Sequence, residues 1–452
     1  MLQFKLECKR LFSGTVNKLV LALFLISGLV AIYQGAQGYK SQRVDQYKST
    51  VVFQKEREYV ANRETLPEPG SIAYYASAPT QWQLSPWAAL FVGESQHSMV
   101  ATKIKALALQ GQIFNREIVN PSQQRTGGLD LGFVLVYLLP IVIGIVTVTL
   151  ISDEQHAGRW RLLSALPIRA YFQVYKQLGL RFAVIWLLTA VLLISAAALL
   201  SLPFDGTFWL VCAAITLYML FWFSLAGLIM SLGKSSVVNS LAYLSSWVIF
   251  AILIPGAIHL YLSNSYQTNT PLEISLKQRL IMNDGWDQNQ QAALDEFLSH
   301  EPQWQSTSPL GDTFDWKWYF AQQHLSDIAV DEQWQGYLQN RALRHQQLQK
   351  LSWLSPALML QFGLNQLAHT SSYHQTEYFK EIAHYHQQIR HFFYDFMFFD
   401  KAVTKEDILN FPLYKNQPQT PSQSFSSLLF ATLLVFGLAI FAARRLTKLK
   451  PI

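Results

Sequence analysis

The sequence predicts an all-α membrane protein with six transmembrane helices and a large, mainly helical exterior domain built from two long loops. Three observations carry that expectation. Charged residues make up only 14% of the 452 positions and hydrophobic residues 51%, whereas an ordinary soluble chain is roughly 25% charged. The apolar residues gather in charge-free runs of about 20 positions, the length of a bilayer-crossing helix. The stretches between the runs are polar and aromatic, and two of them are long. This distribution excludes a soluble globule and a disordered chain. Two cysteines, Cys8 and Cys212, provide no disulfide framework.

Residues 1–18 carry Lys5, Lys9, Arg10 and Lys18 ahead of the first apolar run, 19–33. That run also reads as a secretory signal, given its basic start and the small residues Gly35 and Ala36. The further runs are 131–151, 182–200, 208–232, 240–262 and 428–443. With flanking residues, each crosses ~30 Å of hydrocarbon as a helix, the form that satisfies every backbone group internally.

Charge sets the direction. An inward N-terminus puts 1–18, 152–181, 233–239 and 444–452 on the inner side, with 14 of the 35 Lys and Arg but only three of the 29 Asp and Glu. The other side holds the remaining 21 basic and 26 acidic residues, the sense of the positive-inside rule. The pI near 9.1 therefore reflects topology, and a nucleic-acid partner is not expected.

Residues 34–130 and 263–427 form the exterior segments. The first begins with an expected helix from Tyr39 to Asn62, broken at Pro67-Glu68-Pro69-Gly70, then an aromatic stretch from Tyr74 to Trp87. The second shows amphipathic spacing from Gln333 to Leu351 and an aromatic helix from Tyr378 to Phe399. Each segment alone would expose too many rings, so the two are expected to share one helical domain. No internal repeat and no strand ladder are evident.

On the inner side, Ser152-Asp153-Glu154-Gln155-His156-Ala157-Gly158-Arg159-Trp160 runs on to Pro167. An acidic start and a terminating proline describe a short surface helix. Arg159, Leu162, Leu163 and Leu166 would give it a mixed cationic and apolar face. The same residues equally describe a basic connector reaching toward lipid headgroups.

Other chemistry is absent from the pattern. Gly227 to Ser235 approximates a phosphate loop, but five residues separate its glycines and it closes an apolar helix with no strand before it. Five of the eleven histidines fall in 369–391. His384 and His386 point about 200° apart on a helix, and His384 and His391 stand roughly 10.5 Å apart along the axis, so no metal site is expected. No catalytic residue is assigned: nucleophile-elbow, zinc-protease and paired-cysteine motifs are all missing. Within the runs His259 stands alone among Asp, Glu, Lys, Arg and His, and Pro140 and Pro255 are expected to kink their helices.

The 152–167 stretch resembles the first intracellular loop of type-2 ABC transporter permeases, where an acidic residue, a glycine and a final proline mark the coupling helix. Leu6-Glu7-Cys8-Lys9-Arg10-Leu11-Phe12 resembles their amphipathic lead helix. Asn120-Pro121, Gly128 to Pro140, Leu354-Ser355-Pro356-Ala357, Leu367-Ala368-His369-Thr370 and Gln388 to Phe393 resemble the DUF3526-type subgroup. Two positions depart from the loop pattern: Glu154-Gln155-His156 lacks a second glutamate, and Arg159 stands where threonine is common.

The resemblance implies a permease subunit with no nucleotide site and no enzyme activity of its own. Glu154, Gly158, Arg159, Leu162, Leu163 and Pro167 would contact the ATPase, and Glu7, Lys9 and Arg10 would belong to the lead helix. ATP and magnesium would be bound by a separate ATPase subunit. The partner permease would be a second related chain or a second copy. The resemblance further implies a bacterial inner membrane, cytoplasmic termini and a periplasmic exterior domain with room for a periplasmic partner. The substrate is not legible. The alternative is a membrane-anchored scaffold whose exterior domain recruits a partner without transport.

Overall fold

The computed structural model describes residues 2–96, 98–114, 129–160, 170–267, 270–416 and 425–447. Helix α1 (Leu2–Ser13) is followed after Gly14 by α2 (Thr15–Ala61), a single helix of 47 residues. At about 1.5 Å per residue α2 is ~70 Å long, so the boundary placed at 33/34 is a change of composition without a break in the backbone. Gly35 is required on this rod: a Cβ there would lie 1.8 Å from the Ala89 carbonyl oxygen.

A compact stretch follows, with α3 (Pro69–Tyr75), strands β1 (Ala78–Gln81) and β2 (Ala101–Ile104), and α4 (Leu109–Phe114). The two strands pair antiparallel, Ala78 opposite Ile104 and Gln81 opposite Ala101. No strand ladder was expected from the sequence. Four residues with Pro79 among them give no readable alternation, and the pair is held by tertiary contacts. Gln46 of α2 donates its amide to the carbonyls of Trp82 (3.0 Å) and Val100 (2.9 Å).

The apolar helices are α5 (Leu131–His156), α6 (Ala170–Leu200), α7 (Gly206–Met230) and α8 (Ser236–Ser265). Their starts are written in the sequence: Asp130 caps α5, Asp205 caps α7 and Ser235 caps α8, each accepting from a backbone N–H of the first turn. Five described helices are long and apolar enough to cross a membrane, namely α2, α5, the Phe172–Leu200 part of α6, α7 and α8. The chain is thus mainly helical and has the makings of a multi-pass membrane protein. The run 428–443 lies within the last helix, α15 (Phe425–Leu446), which packs along α7.

Between α8 and α15 come α9 (Pro271–Asp284), α10 (Gln290–His300), α11 (Trp316–Leu351), α12 (Pro356–Leu367), α13 (Ser372–Met397) and α14 (Lys405–Leu409). Thr270 and Glu273 form a capping box on α9, and Ser355 caps α12 ahead of Pro356. One hydrophobic core joins Phe53, Trp82 and Ile104 to Phe297, Trp304, Trp318, Trp334, Tyr378 and Tyr394, so the two intervening stretches form one aromatic domain. A second core fills the bundle, with Phe24, Leu135, Leu192 and Trp222, and it takes in Ala357, Leu360 and Leu364 of α12.

Buried polar groups fix the aromatic domain where rings alone would not. Arg390 Nη2 lies 2.6 Å from Asp327 Oδ2, and Arg390 Nε donates to the Ala106 carbonyl at 3.1 Å. Asp327 Oδ1 accepts from the Leu109 amide at 2.9 Å. This pair ties residues 106–109 to α11 and α13.

Candidate functional site

Ser152, Asp153 and Glu154 were expected to start a surface helix. They form instead the last turn of α5, because the helix continues to His156 before it stops. Gly158, at φ +68°, supplies the left-handed turn that ends it, and its amide bonds to the Gln155 carbonyl at 3.0 Å. No atoms crowd its Cα, so the backbone conformation alone calls for glycine. Helical geometry resumes at Arg159-Trp160. Leu162, Leu163 and Pro167 lie outside the described residues, as do Asn120-Pro121 and Gly128.

Glu154 is the centre of this end of the bundle. Its side chain is 5% exposed, and it is held by Arg10 Nη2 at one oxygen and by Arg159 Nε at the other, 2.7 Å away. The structure thus brings together three of the expected site residues, from α1, α5 and the turn after α5. Glu7, one helical turn before Arg10, accepts from Gln173 Nε2 (2.8 Å) and Gln177 Nε2 (3.3 Å) of α6. Lys9 is exposed.

Further contacts make the site a junction. The Ser236 hydroxyl, at the start of α8, lies 2.8 Å from Ser152 Oγ and 2.9 Å from Asp153 Oδ1. Trp160 is buried among Leu150, Ile151, Val174, Met230 and Leu446, contributed by α5, α6, α7 and α15. The run from Gly227 to Ser235 is the end of α7, a tight turn and the cap of α8.

Arg181 is the residue that sequence reasoning missed. The sequence places it at an inner loop's edge, but α6 runs unbroken from Ala170, so Arg181 sits inside the helix and is buried. Its Nε donates to the Val146 carbonyl at 2.8 Å, and Nη1 to the Gln177 carbonyl at 3.2 Å. Val146 lies two residues before the turn at Val148-Thr149 that interrupts α5. The guanidinium thus supplies donors to carbonyls beside a helix break, which offsets the cost of burying its charge. The available signal was a lone arginine flanked by Leu180 and Phe182.

The histidines of 369–391 are mostly structural. His374 is fully buried with Nδ1 2.8 Å from Ser371 Oγ, and its ring stacks on His369. His386 is buried against the Leu107 carbonyl at 2.6 Å, while His384 is exposed. Burial and neighbouring positive charge hold His374 down to about 3, His345 on α11 to about 4 and His324 on α11 to about 2. Among the described residues, no three of His, Cys, Asp and Glu come close enough to hold a metal ion.

A family model described as Domain of unknown function (DUF3526) matches residues 271–417, from α9 through α14 and the segment after it. That range contains Leu354 to Ala357, Leu367 to Thr370 and Gln388 to Phe393, three of the blocks on which the resemblance rests. No curated protein and no solved structure matches the chain.

Proposed function

We propose that this chain is the permease subunit of a type-2, exporter-like ATP-binding-cassette transporter, exporting or extracting a substrate at the expense of ATP hydrolysed by a separate ATPase. The observation that carries the reading is the clasp of Arg10 and Arg159 on the buried Glu154. It locks the lead helix, the tail of α5 and the following turn into one piece that a partner docking there would push as a unit. A ligand or partner shifts an equilibrium only by its differential contacts with the two states. In this reading the Glu154 junction, at which α1, α5, α6 and α8 meet, is where a docked partner would make such contacts.

In this reading six helices cross a bacterial inner membrane, α15 being the sixth. The termini and the Glu154 junction face the cytoplasm, and the aromatic domain lies in the periplasm. ATP and magnesium belong to the ATPase, and a second permease, related or identical, completes the membrane unit. The test is purification of the chain with the products of neighbouring reading frames. An ATPase is expected to co-purify, and replacing Gly158 to Leu163 by Gly-Ser repeats is expected to abolish complementation. Full complementation by that variant, or no associated ATPase, would refute the proposal.

One observation favours the scaffold reading. Leu272, Leu276 and Leu280 are spaced by four on α9, and all three are exposed, an apolar stripe suited to a protein partner. A scaffold would tolerate the Gly-Ser replacement and lose function when this stripe is made polar.

A further inference from the structure

The bundle contains the same irregularity twice. In α5 a π-helical turn, Val134–Leu138, is followed by Pro140; in α8 a π-helical turn, Ile249–Leu253, is followed by Pro255. In each, the residue before the proline donates its amide five residues back, Leu139 to Val134 and Ile254 to Ile249. The prolines have no N–H to continue that ladder, so the carbonyls four and five residues before them lose their helical donors.

Each break is met by a hydroxyl from elsewhere. Tyr218 of α7 donates to the Val136 carbonyl at 2.6 Å. Ser355 donates to the Phe250 carbonyl, and the same Oγ caps α12 by accepting from the Leu358 amide at 3.1 Å. Six residues on, Gln361 of α12 accepts from Tyr137 Oη, within the other π turn, at 3.1 Å. α12 and its cap thus touch both irregular turns, and Ala357, Leu360 and Leu364 of the same helix are buried in the bundle core.

The far end of α12 is anchored in turn. Thr370 Oγ1 donates to the Phe91 carbonyl at 2.7 Å, and the Val92 amide donates at 3.0 Å to Asp130, the cap of α5. The segment at Phe91-Val92, α12 with the following Thr370, and the two proline-broken helices are therefore linked by polar contacts.

We infer that α12 is a wedge that couples the π turns of α5 and α8, with the Ser355 hydroxyl as its latch. With the latch made, both turns are held in the arrangement seen here. With it lost, the Phe250 carbonyl and the first turn of α12 are unsatisfied together, and the loosened wedge also releases Tyr137 on α5. The inference does not depend on the transport reading, since it concerns how this chain holds itself.

The test is amide hydrogen exchange on the full chain in lipid nanodiscs, with no ATPase or substrate. Ser355→Ala is expected to speed exchange roughly five- to thirtyfold in both 249–258 and 134–142, leaving the core around Trp304 and Tyr394 protected. Ser355→Thr, which keeps the hydroxyl, is expected to match the parent. If Ser355→Ala does not fold, Gln361→Ala serves from the other end and is expected to speed exchange at 249–253. Acceleration confined to the helix whose contact was removed, or none, would overturn the coupling. An Ser355→Thr protein that exchanges like Ser355→Ala would overturn the latch.

Discussion

Arg10 and Glu154 stand 144 positions apart in the chain and form an ion pair in which the carboxylate is buried and the guanidinium is partly in water. That asymmetry decides which loss is worse. Removing Glu154 frees two arginines, 39% and 55% exposed, that can solvate themselves. Removing both arginines strands a carboxylate that is 5% exposed.

The Arg10→Ala/Arg159→Ala double variant should therefore lose about 3 kcal/mol, the range for breaking a buried pair. Adding Glu154→Leu to it should recover most of the loss. Thermal unfolding in detergent of the three proteins checks this. A triple variant less stable than the double would show that the carboxylate is not the stranded group.

Arg181 should matter through the Val146 carbonyl it holds. Arg181→Met leaves that carbonyl without its donor and is expected to cost about 1–3 kcal/mol, read as a lower melting temperature. Arg181→Lys keeps a donor and a charge and should fall between the two. Equal stability of all three would mean that the turn at Val148-Thr149 holds itself.

In the aromatic domain, Asp327→Asn should be strongly destabilising because Arg390 is buried and loses its counter-charge. The expected cost is about 3–5 kcal/mol. Glu377→Gln, which removes the exposed pair with Lys380, should cost less than ~0.5 kcal/mol. Chemical denaturation followed by tryptophan fluorescence compares the two.

Acid should weaken this domain over a defined window. His324, His345 and His374 are held well below the ordinary 6.5, so below that value the unfolded chain takes up protons that the folded chain refuses. Stability then falls as pH falls through about 6.5 and goes on falling until the folded-state values of about 4, 3 and 2 are reached, while well above 6.5 these groups contribute no slope. His374→Gln should flatten the slope, and His384→Gln on the exposed side should leave it unchanged. Unfolding measured between pH 8 and pH 4 tests both.

Much of the architecture was legible because hydrophobic runs are local signals: the charge-free runs mark the apolar helices, while the caps Asp130, Asp205 and Ser235 at their starts were not read from the sequence. What was hidden depends on continuity or on distant partners. The helix expected from Tyr39 to Asn62 is present, but its fusion with the apolar run into one rod was not foreseen, and the last turn of α5 swallows the acidic residues because nothing interrupts that helix either. Pro140 and Pro255 announced irregular helices, but not the π turns before them, nor the Tyr218 and Ser355 hydroxyls that satisfy them. Glu154, Arg10 and Arg159 were expected at the site from separate stretches of sequence, and only the fold places the two arginines on one carboxylate.

The sidedness of the Glu154 junction against the aromatic domain tests the central claim most directly. Cys8 and Cys212 would be replaced by serine, and single cysteines placed at Ala157 and Gln335, both exposed, for labelling with a membrane-impermeant thiol reagent in intact cells. The account predicts that Gln335→Cys labels from outside and Ala157→Cys only after the membrane is opened. Labelling of both from the same side would contradict it.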